Sequence, residues 1–577
     1  MKDENIFKLC ITMAGAVSAG AYTAGVLDYL IETLDLWEQV KTKNRTLGEN
    51  HSNYDHTVPM HQVEIDVISG SSAGGISGSL TMLALTDKHF KSYNRNNKAG
   101  ENNIFYKSWV EMADDADSDT LEKLLSENDL KEYGEVKSLL NTKPIEVIAD
   151  RSLKIREQRE MPKYASKSLD VILTTTNLRG LNFMVDFDDS GTGPPKGTII
   201  TNHGGFLRYK LMNDEFKVGI PENKDDLYFV LDISQEKHIQ YLKDATLSTA
   251  AFPIGLESRE LKISSEYIKR YPRYLFKSDK GITALPPEGD IYTFNSVDGG
   301  VINNEPYGIA LKVVKEKNPI HVEKEKYAVI MIDPFPNKDH DVEQTGTGIM
   351  DIVSGLVKSL RNQVMFNQDG ILDALDTSDR TKFLIEPIRK VEINGEWVRP
   401  KSELASAPVG GFAGFLNKDF RKHDFQLGRK NCQNFLRYHF ALPQNQVGNR
   451  LGIEVPEVAK DRFEYSLPPK DPHGEKYFPI IPDMRVIKSF DEQLNMTDYG
   501  EDAKIQLLPY PKVSFKDFEK RYKKMIKRRI GYLVKYMLKS SFLSSLANFF
   551  YVKKAGYKFV SKALRSEFGE NGLLKDE

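Results

Sequence analysis

Cysteine is close to absent. Cys10 and Cys432 are the only two in 577 residues, too few for a disulfide framework, so a reducing compartment is the expectation. Long apolar runs are missing too: no stretch reaches the ~20 residues needed to span a bilayer. The N-terminal IFKLCITMAGAVSAGAYTAGVL is apolar and ends in small residues, as a secretory signal does. Asp3 and Glu4 spoil its basic leader region, however, and Lys8 interrupts its apolar part. The expected location is cytoplasmic, either free or peripheral on the inner face of the membrane. Charge of one sign is not in excess either. The net charge is −2, which announces no nucleic-acid partner.

What is present is an ordinary globular balance, 40% apolar and 28% charged, enough for a large core. The length suits about three to four domains, or one large domain with an extension. IFKLCITM (6–13) reads as a buried strand, a small-residue loop AGAVSAG follows, and AYTAGVLDYLIETLDLWEQV has helical spacing. VEIDVIS then reads as a strand and GGISGSLTMLALT as a helix. This strand–loop–helix pattern, stated twice, predicts an α/β fold with a mainly parallel central sheet between helical layers, a three-layer α/β/α arrangement. Further strands are expected at 170–178, 226–234, 326–336 and 381–389, with helices over 104–165 and 348–377. The Pro-rich stretch near 454–484 marks a boundary, giving a domain over 1–453 with a helical insertion near 104–165, and a linker with a basic C-terminal region over 454–577.

The glycine-rich loops decide the chemistry. A phosphate loop needs a lysine after its last glycine, but Gly74-Gly75 is followed by Ile76 and Ser77. The first loop, Gly15 to Gly20, lacks the G-x-G-x-x-G order of a dinucleotide turn. Neither supports a nucleotide cofactor. Gly70-Ser71-Ser72-Ala73-Gly74 does read as G-x-S-x-G between a strand and a helix. There the serine sits on a sharp turn, and small flanking residues let strand and helix approach. Ser72 is the presented hydroxyl, and Gly70, Ala73 and Gly74 make room for it. A helix N-terminus beside it favours a developing anion.

A serine hydroxyl needs a base. His423-Asp424 is adjacent in sequence, an awkward geometry for base and orienter of one site, and a structural histidine is the plainer reading. His51, His56 and His61 lie near Asp55 but match no recognised zinc spacing, and a solvated loop is the plainer reading there. No metal is expected. Asp298, ending a short extended run before Gly299-Gly300, stands on a tight turn at a strand end. It can act as a base if it reaches Ser72 in a poorly solvated pocket, though an aspartate that merely starts a turn would look the same.

Together, the loop after the first strand, G-x-S-x-G, and a distant D-G-G resemble the patatin-like phospholipase family over roughly 6–335. ATLSTAAFP (245–253) and GFAGFLNKDFRKHDFQLGRKNCQNFL (411–436) resemble further family segments. The resemblance implies an acyl hydrolase with a Ser–Asp dyad and no catalytic histidine: Ser72 the nucleophile, Asp298 the base, a lipid or phospholipid the substrate, and no cofactor. An acyltransferase, or a lipid-binding protein with little turnover, shares the same pattern. The first loop departs from the family form G-G-G-x-R/K-G. Ala16 and Val17 replace glycines, and Ala19 replaces the basic residue before Gly20. Backbone amides of Gly15, Ala16 and Val17 remain to form an oxyanion hole, since every non-proline residue carries one.

Between Lys516 and Arg565 stand 15 Lys/Arg against two acids, so this segment is +13 and the rest of the chain −15. Phe515, Phe518, Tyr522, Ile526, Ile530, Leu533 and Met537 form one helical stripe among the lysines. Two readings stand side by side: an anionic membrane surface drawn to residues 516–565, or a helix that packs its stripe on the main domain. SSFLSSLANFFYV is too short to span but suits shallow insertion. No nucleic-acid module is recognisable in the chain.

Overall fold

The computed structural model describes residues 5–93, 100–186, 197–212, 229–276, 280–336, 380–393, 395–467, 474–486, 505–537 and 546–575, with Gly348 and Ile352. Most of the helix expected over 348–377 therefore lies outside the described residues. So does most of SSFLSSLANFFYV as far as side chains are concerned.

A single large sheet carries the fold. Its strands are β1 (Ile6–Met13), β2 (Gln62–Gly70), β3 (Ala165–Asp186), β4 (Gly197–Met212), β5 (Phe229–Leu231), β6 (Arg259–Ser264), β7 (Ile282–Leu285), β8 (Ile291–Asp298), β9 (Tyr327–Ile332) and β10 (Lys382–Ile385). The order is β10-β9-β1-β2-β3-β4-β5. From β10 to β3 every pairing is parallel, and β4 joins β3 antiparallel. β1 is buried along almost its whole length, as a strand covered on both faces must be. β3 is 22 residues long. Its first part completes the parallel sheet, and its far part receives β7 and β8 antiparallel. A small β11–β12 hairpin (Val391–Ile393, Glu396–Val398) follows.

The layers are helical. The helices used below are α1 (Gly20–Leu47), α2 (Ala73–Thr86), α3 (Thr120–Leu124), α4 (Asn128–Tyr133), α5 (Lys143–Ser152), α6 (Glu236–Thr249), α7 (Tyr307–Lys317), α8 (Lys418–Tyr438), α9 (Phe515–Met537) and α10 (Leu546–Glu570). α1 and α8 cross at a pair of glycines. A Cβ at Gly25 would stand 2.0 Å from the Phe425 carbonyl oxygen, and one at Gly428 2.1 Å from that of Tyr22. Both obstacles are backbone, which cannot swing aside. Gly428→Val should therefore destabilise the fold by about 2–3 kcal/mol, read as a lower denaturant midpoint. Gly448→Ala, whose Cβ would meet nothing closer than 3.9 Å, should instead gain up to ~1 kcal/mol from helix propensity.

The stretch expected as a linker is part of the body. β13 (Ala441–Pro443), β14 (Tyr465–Leu467) and β15 (Glu475–Pro479) form a three-stranded sheet. Phe463, Phe478, Ile480 and Ile481 join the same core as β1. Asp483 accepts hydrogen bonds from Tyr29 (2.8 Å) and Arg437 (2.8 Å). Among the described residues Pro479 ends β15 and Pro456 precedes a short helix, so the boundary drawn at 454 falls inside packed structure. The first half of the C-terminal stripe is spent internally, with Phe515, Phe518, Tyr522 and Ile526 buried against Leu121, Leu125, Phe420 and Phe568, while Met537 at its end is exposed.

Candidate active site

β3 brings the two sequence-distant motifs together. Gly70, ending β2, pairs with Leu173 of β3. Asp298, ending β8, pairs with Thr175 of the same strand. Both turns thus emerge at the carboxyl end of the parallel strands, where ligands of open α/β sheets bind.

Ser72 sits between β2 and α2 with φ 52° and ψ −122°, a backbone that L-residues rarely adopt. The turn is tight. A Cβ at Gly70 would stand 2.3 Å from the Gly74 carbonyl carbon, and one at Gly74 2.4 Å from the Met13 carbonyl oxygen. The Ser72 amide donates to Thr249 Oγ1 (3.0 Å), at the end of α6. Its Oγ lies 2.5 Å from Asp298 Oδ2. Asp298 Oδ1 accepts from the Gly300 amide at 2.7 Å, and its carbonyl accepts from Thr176 Oγ1 at 2.8 Å. Gly299 faces Thr174 so closely that a Cβ would meet its Oγ1 at 2.1 Å. Ser71, by contrast, is fully buried.

The first loop lies against this pair: a Cβ at Gly15 would stand 2.9 Å from Ser72 Cβ. The Gly15 amide is turned to the Asn304 carbonyl (3.3 Å). Among the described residues the amides of Ala16 and Val17 have no hydrogen-bond acceptor. Val17 adopts φ 49°, where a β-branched side chain is strained and the family's glycine would not be. A later segment braces the loop, as the Gly411 carbonyl accepts from the Ser18 amide (3.1 Å) and from the Ser18 hydroxyl. Gly20 makes room for Trp109, whose ring carbons would lie 2.2 Å from a Cβ there.

Ser72 opens onto a pocket that encloses about 550 Å³ not filled by protein atoms, part of it open to solvent. Its walls are apolar, with Trp109, Met112, Ile145 and Ile148 from the 104–165 insertion facing Phe252, Leu256 and Phe415. The sequence carries no motif for these wall residues: the spacing of Ile145 and Ile148 is that of any packed helix, and Phe252 and Leu256 lie in a loop.

The histidines weighed from sequence lie elsewhere. His423 is buried and held through Nδ1 by Asp424 Oδ1 (2.8 Å), while Asp424 also accepts from the Ala405 (2.9 Å) and Ser406 (2.8 Å) amides. The pair is structural. His51 and His56 are exposed, whereas His61 is buried with Nε2 against the Ile480 carbonyl at 2.8 Å. Burial pushes the His61 pKa down to about 3. Among the described residues no group of three or more His, Cys, Asp or Glu could hold a metal ion.

Asp333 follows the end of β9 and is buried. Burial, with Glu305 and Glu386 nearby, raises its pKa to about 7, although the Phe335 amide opposes the shift. The folded chain therefore holds this proton where the unfolded chain has released it, and the associated stability is lost as pH rises from about 4 to about 7. Asp333→Asn should leave thermal stability near pH 4 unchanged and raise it near pH 8, as melting curves at the two pH values would show.

A strained serine between a parallel strand and a helix, hydrogen-bonded to an aspartate that ends another strand of the same sheet, sets a sharp strand–helix turn in an α/β protein. The patatin-like phospholipase pattern matches residues 11–311. The chain belongs to the patatin-like phospholipase family, a family of lipid acyl hydrolases. The uncharacterized protein y4iI of Sinorhizobium fredii (strain NBRC 101917 / NGR234) is 29% identical over 516 residues, covering 82% of this chain and 70% of that protein. No helix among the described residues is long and apolar enough to cross a membrane.

Proposed function

We propose that this chain hydrolyses acyl esters of lipids, phospholipids among them, with Ser72 as nucleophile and Asp298 as base. The observation that carries the reading is the 2.5 Å contact between Ser72 Oγ and Asp298 Oδ2 beside an apolar pocket. Asp298 takes the hydroxyl proton as Ser72 Oγ attacks the acyl carbonyl carbon. The tetrahedral oxyanion is held by the free amides of Ala16 and Val17, and Gly15 shapes the loop through Asn304. Collapse breaks the ester C–O bond, and the proton on Asp298 passes to the leaving alcohol. Water, deprotonated by Asp298, then cleaves the acyl-enzyme to free acid and Ser72. The apolar pocket takes the acyl chain, each buried methylene contributing about 0.8 kcal/mol.

A fluorophosphonate probe tests the reading. Labelling should map to the peptide containing Ser72 and vanish on heat denaturation. Absence of labelling in folded protein would leave a lipid-binding protein with little turnover, the reading that the strained Val17 favours. Added alcohol that diverts the acyl group from water would show an acyltransferase.

A further inference from the structure

The basic C-terminal helices put their arginines and most of their lysines to different uses. The arginines of α9 are used inside the protein. Arg521 contacts Asp119 Oδ2 (2.8 Å) and Glu122 Oε1 (3.0 Å), Arg528 pairs with Glu127, and buried Arg529 forks onto both oxygens of Asp129. All four carboxylates belong to the insertion that walls the pocket. Lys523 stands near Glu519, whose carboxyl is held below its usual range by the Tyr557 hydroxyl and also by the Lys523 charge. Lys520, Lys524 and Lys527 of α9 have no carboxylate partner among the described residues. Nor have Lys554, Lys558 and Lys562 of α10, which recur every four residues and so share one helix face. Lys523 and Lys527 stand 5.3 and 5.1 Å from the Tyr557 ring, so the α9 row runs along its contact with α10. Phe559, among the α10 lysines, is 77% exposed.

We infer that the outer face of α9 and α10 docks on an anionic phospholipid bilayer. A lysine field with few carboxylates and an exposed aromatic among it is the composition of an interfacial helix, where ammonium groups meet lipid phosphates and the ring enters the headgroup layer. A nucleic-acid duplex would match the charge, but its bases are already stacked and offer Phe559 no apolar layer to enter. The docking face is also joined to the pocket. α3 turns Leu121 and Leu125 toward α9, while its Leu124 packs with the pocket residues Met112 and Phe415. Docking thus brings the pocket wall to the lipid surface. The inference draws its purpose from the acyl-hydrolase reading, but the binding itself does not depend on turnover.

The test uses the full chain carrying Ser72→Ala and flotation with phosphatidylcholine vesicles, with and without about 30 mol% phosphatidylglycerol. Binding is expected only to the anionic vesicles and should be lost near roughly 1 M salt. Replacing Lys520, Lys523, Lys524 and Lys527 by glutamine should weaken it about five-fold per lysine, whereas arginine at the same positions should preserve it. Phe559→Ser should weaken binding with no change in salt dependence. In the chain with Ser72 intact, the glutamine variant should cleave a soluble short-chain ester at the unaltered rate and lose rate only on anionic vesicles. Equal binding to both vesicle types, unchanged binding by the glutamine variant, or tighter binding to a DNA duplex at the same salt would overturn the inference. Loss of soluble-ester activity in the otherwise unaltered chain would count against the hydrolase reading alone.

Discussion

Ser72→Ala should lower ester hydrolysis at least ~10⁴-fold while leaving the fold intact, because losing the proposed nucleophile would remove the covalent route altogether. Alanine has the same Cβ as serine, so the turn at φ 52° costs no more than before. The amide bond to Thr249 Oγ1 survives as well, since it uses the backbone. The melting temperature should hardly move. The neighbouring serine supplies a control within the same motif. Ser71 Oγ is buried without a hydrogen-bond partner among the described residues, and it is Ser72 that lines the pocket. Ser71→Ala should retain activity within about an order of magnitude. Initial rates of fatty-acid release from phospholipid and of chromophore release from a soluble ester decide the matter. Activity surviving in Ser72→Ala, and removed only by further replacing Ser71, would assign the chemistry to the wrong hydroxyl here.

The two turns were legible because their chemistry is local. Gly70 and Gly74 flank Ser72 within five residues, and Gly299-Gly300 follow Asp298 directly. Their meeting was not a local fact. It depends on β3 running far enough to pair with β2 at Leu173 and β8 at Thr175. β4 escaped notice although it pairs along most of β3, because Asn202-His203-Gly204-Gly205 interrupts its alternation with turn-forming residues. The same limit applies at the C-terminus. The stripe from Phe515 to Ile526 was visible as a helical face, but periodicity cannot say what covers it. Three of the residues that cover it, Leu121, Leu125 and Phe420, lie 95 residues or more before it in sequence. The weakened first loop was legible in kind, as lost glycines. Only the structure shows that Val17 now carries the positive φ and that Gly15 is turned to Asn304.

Asp298→Asn should cost about 10³–10⁴ in kcat, because it reverses the hydrogen bond that would activate Ser72. The carboxylate is tightly placed: Oδ1 accepts from the Gly300 amide, Oδ2 meets Ser72, and its own amide donates to the Ala251 carbonyl at 2.9 Å. An asparagine can keep the first contact with its Oδ1. Its Nδ2 then faces Ser72 Oγ and donates where the carboxylate accepted, so the hydroxyl proton has nowhere to go. Among the described residues no histidine contacts Ser72, and His423, buried on Asp424, cannot take over. The apolar pocket is untouched, so KM should change little while kcat falls. That split separates a base from a residue that only shapes the turn, whose loss would disturb both. Fluorophosphonate labelling should slow in step with kcat, since it needs the same proton removed. If Asp298→Asn kept kcat within about ten-fold of the unaltered chain, some other group must accept the proton, and the Ser–Asp assignment would fall with its geometry intact.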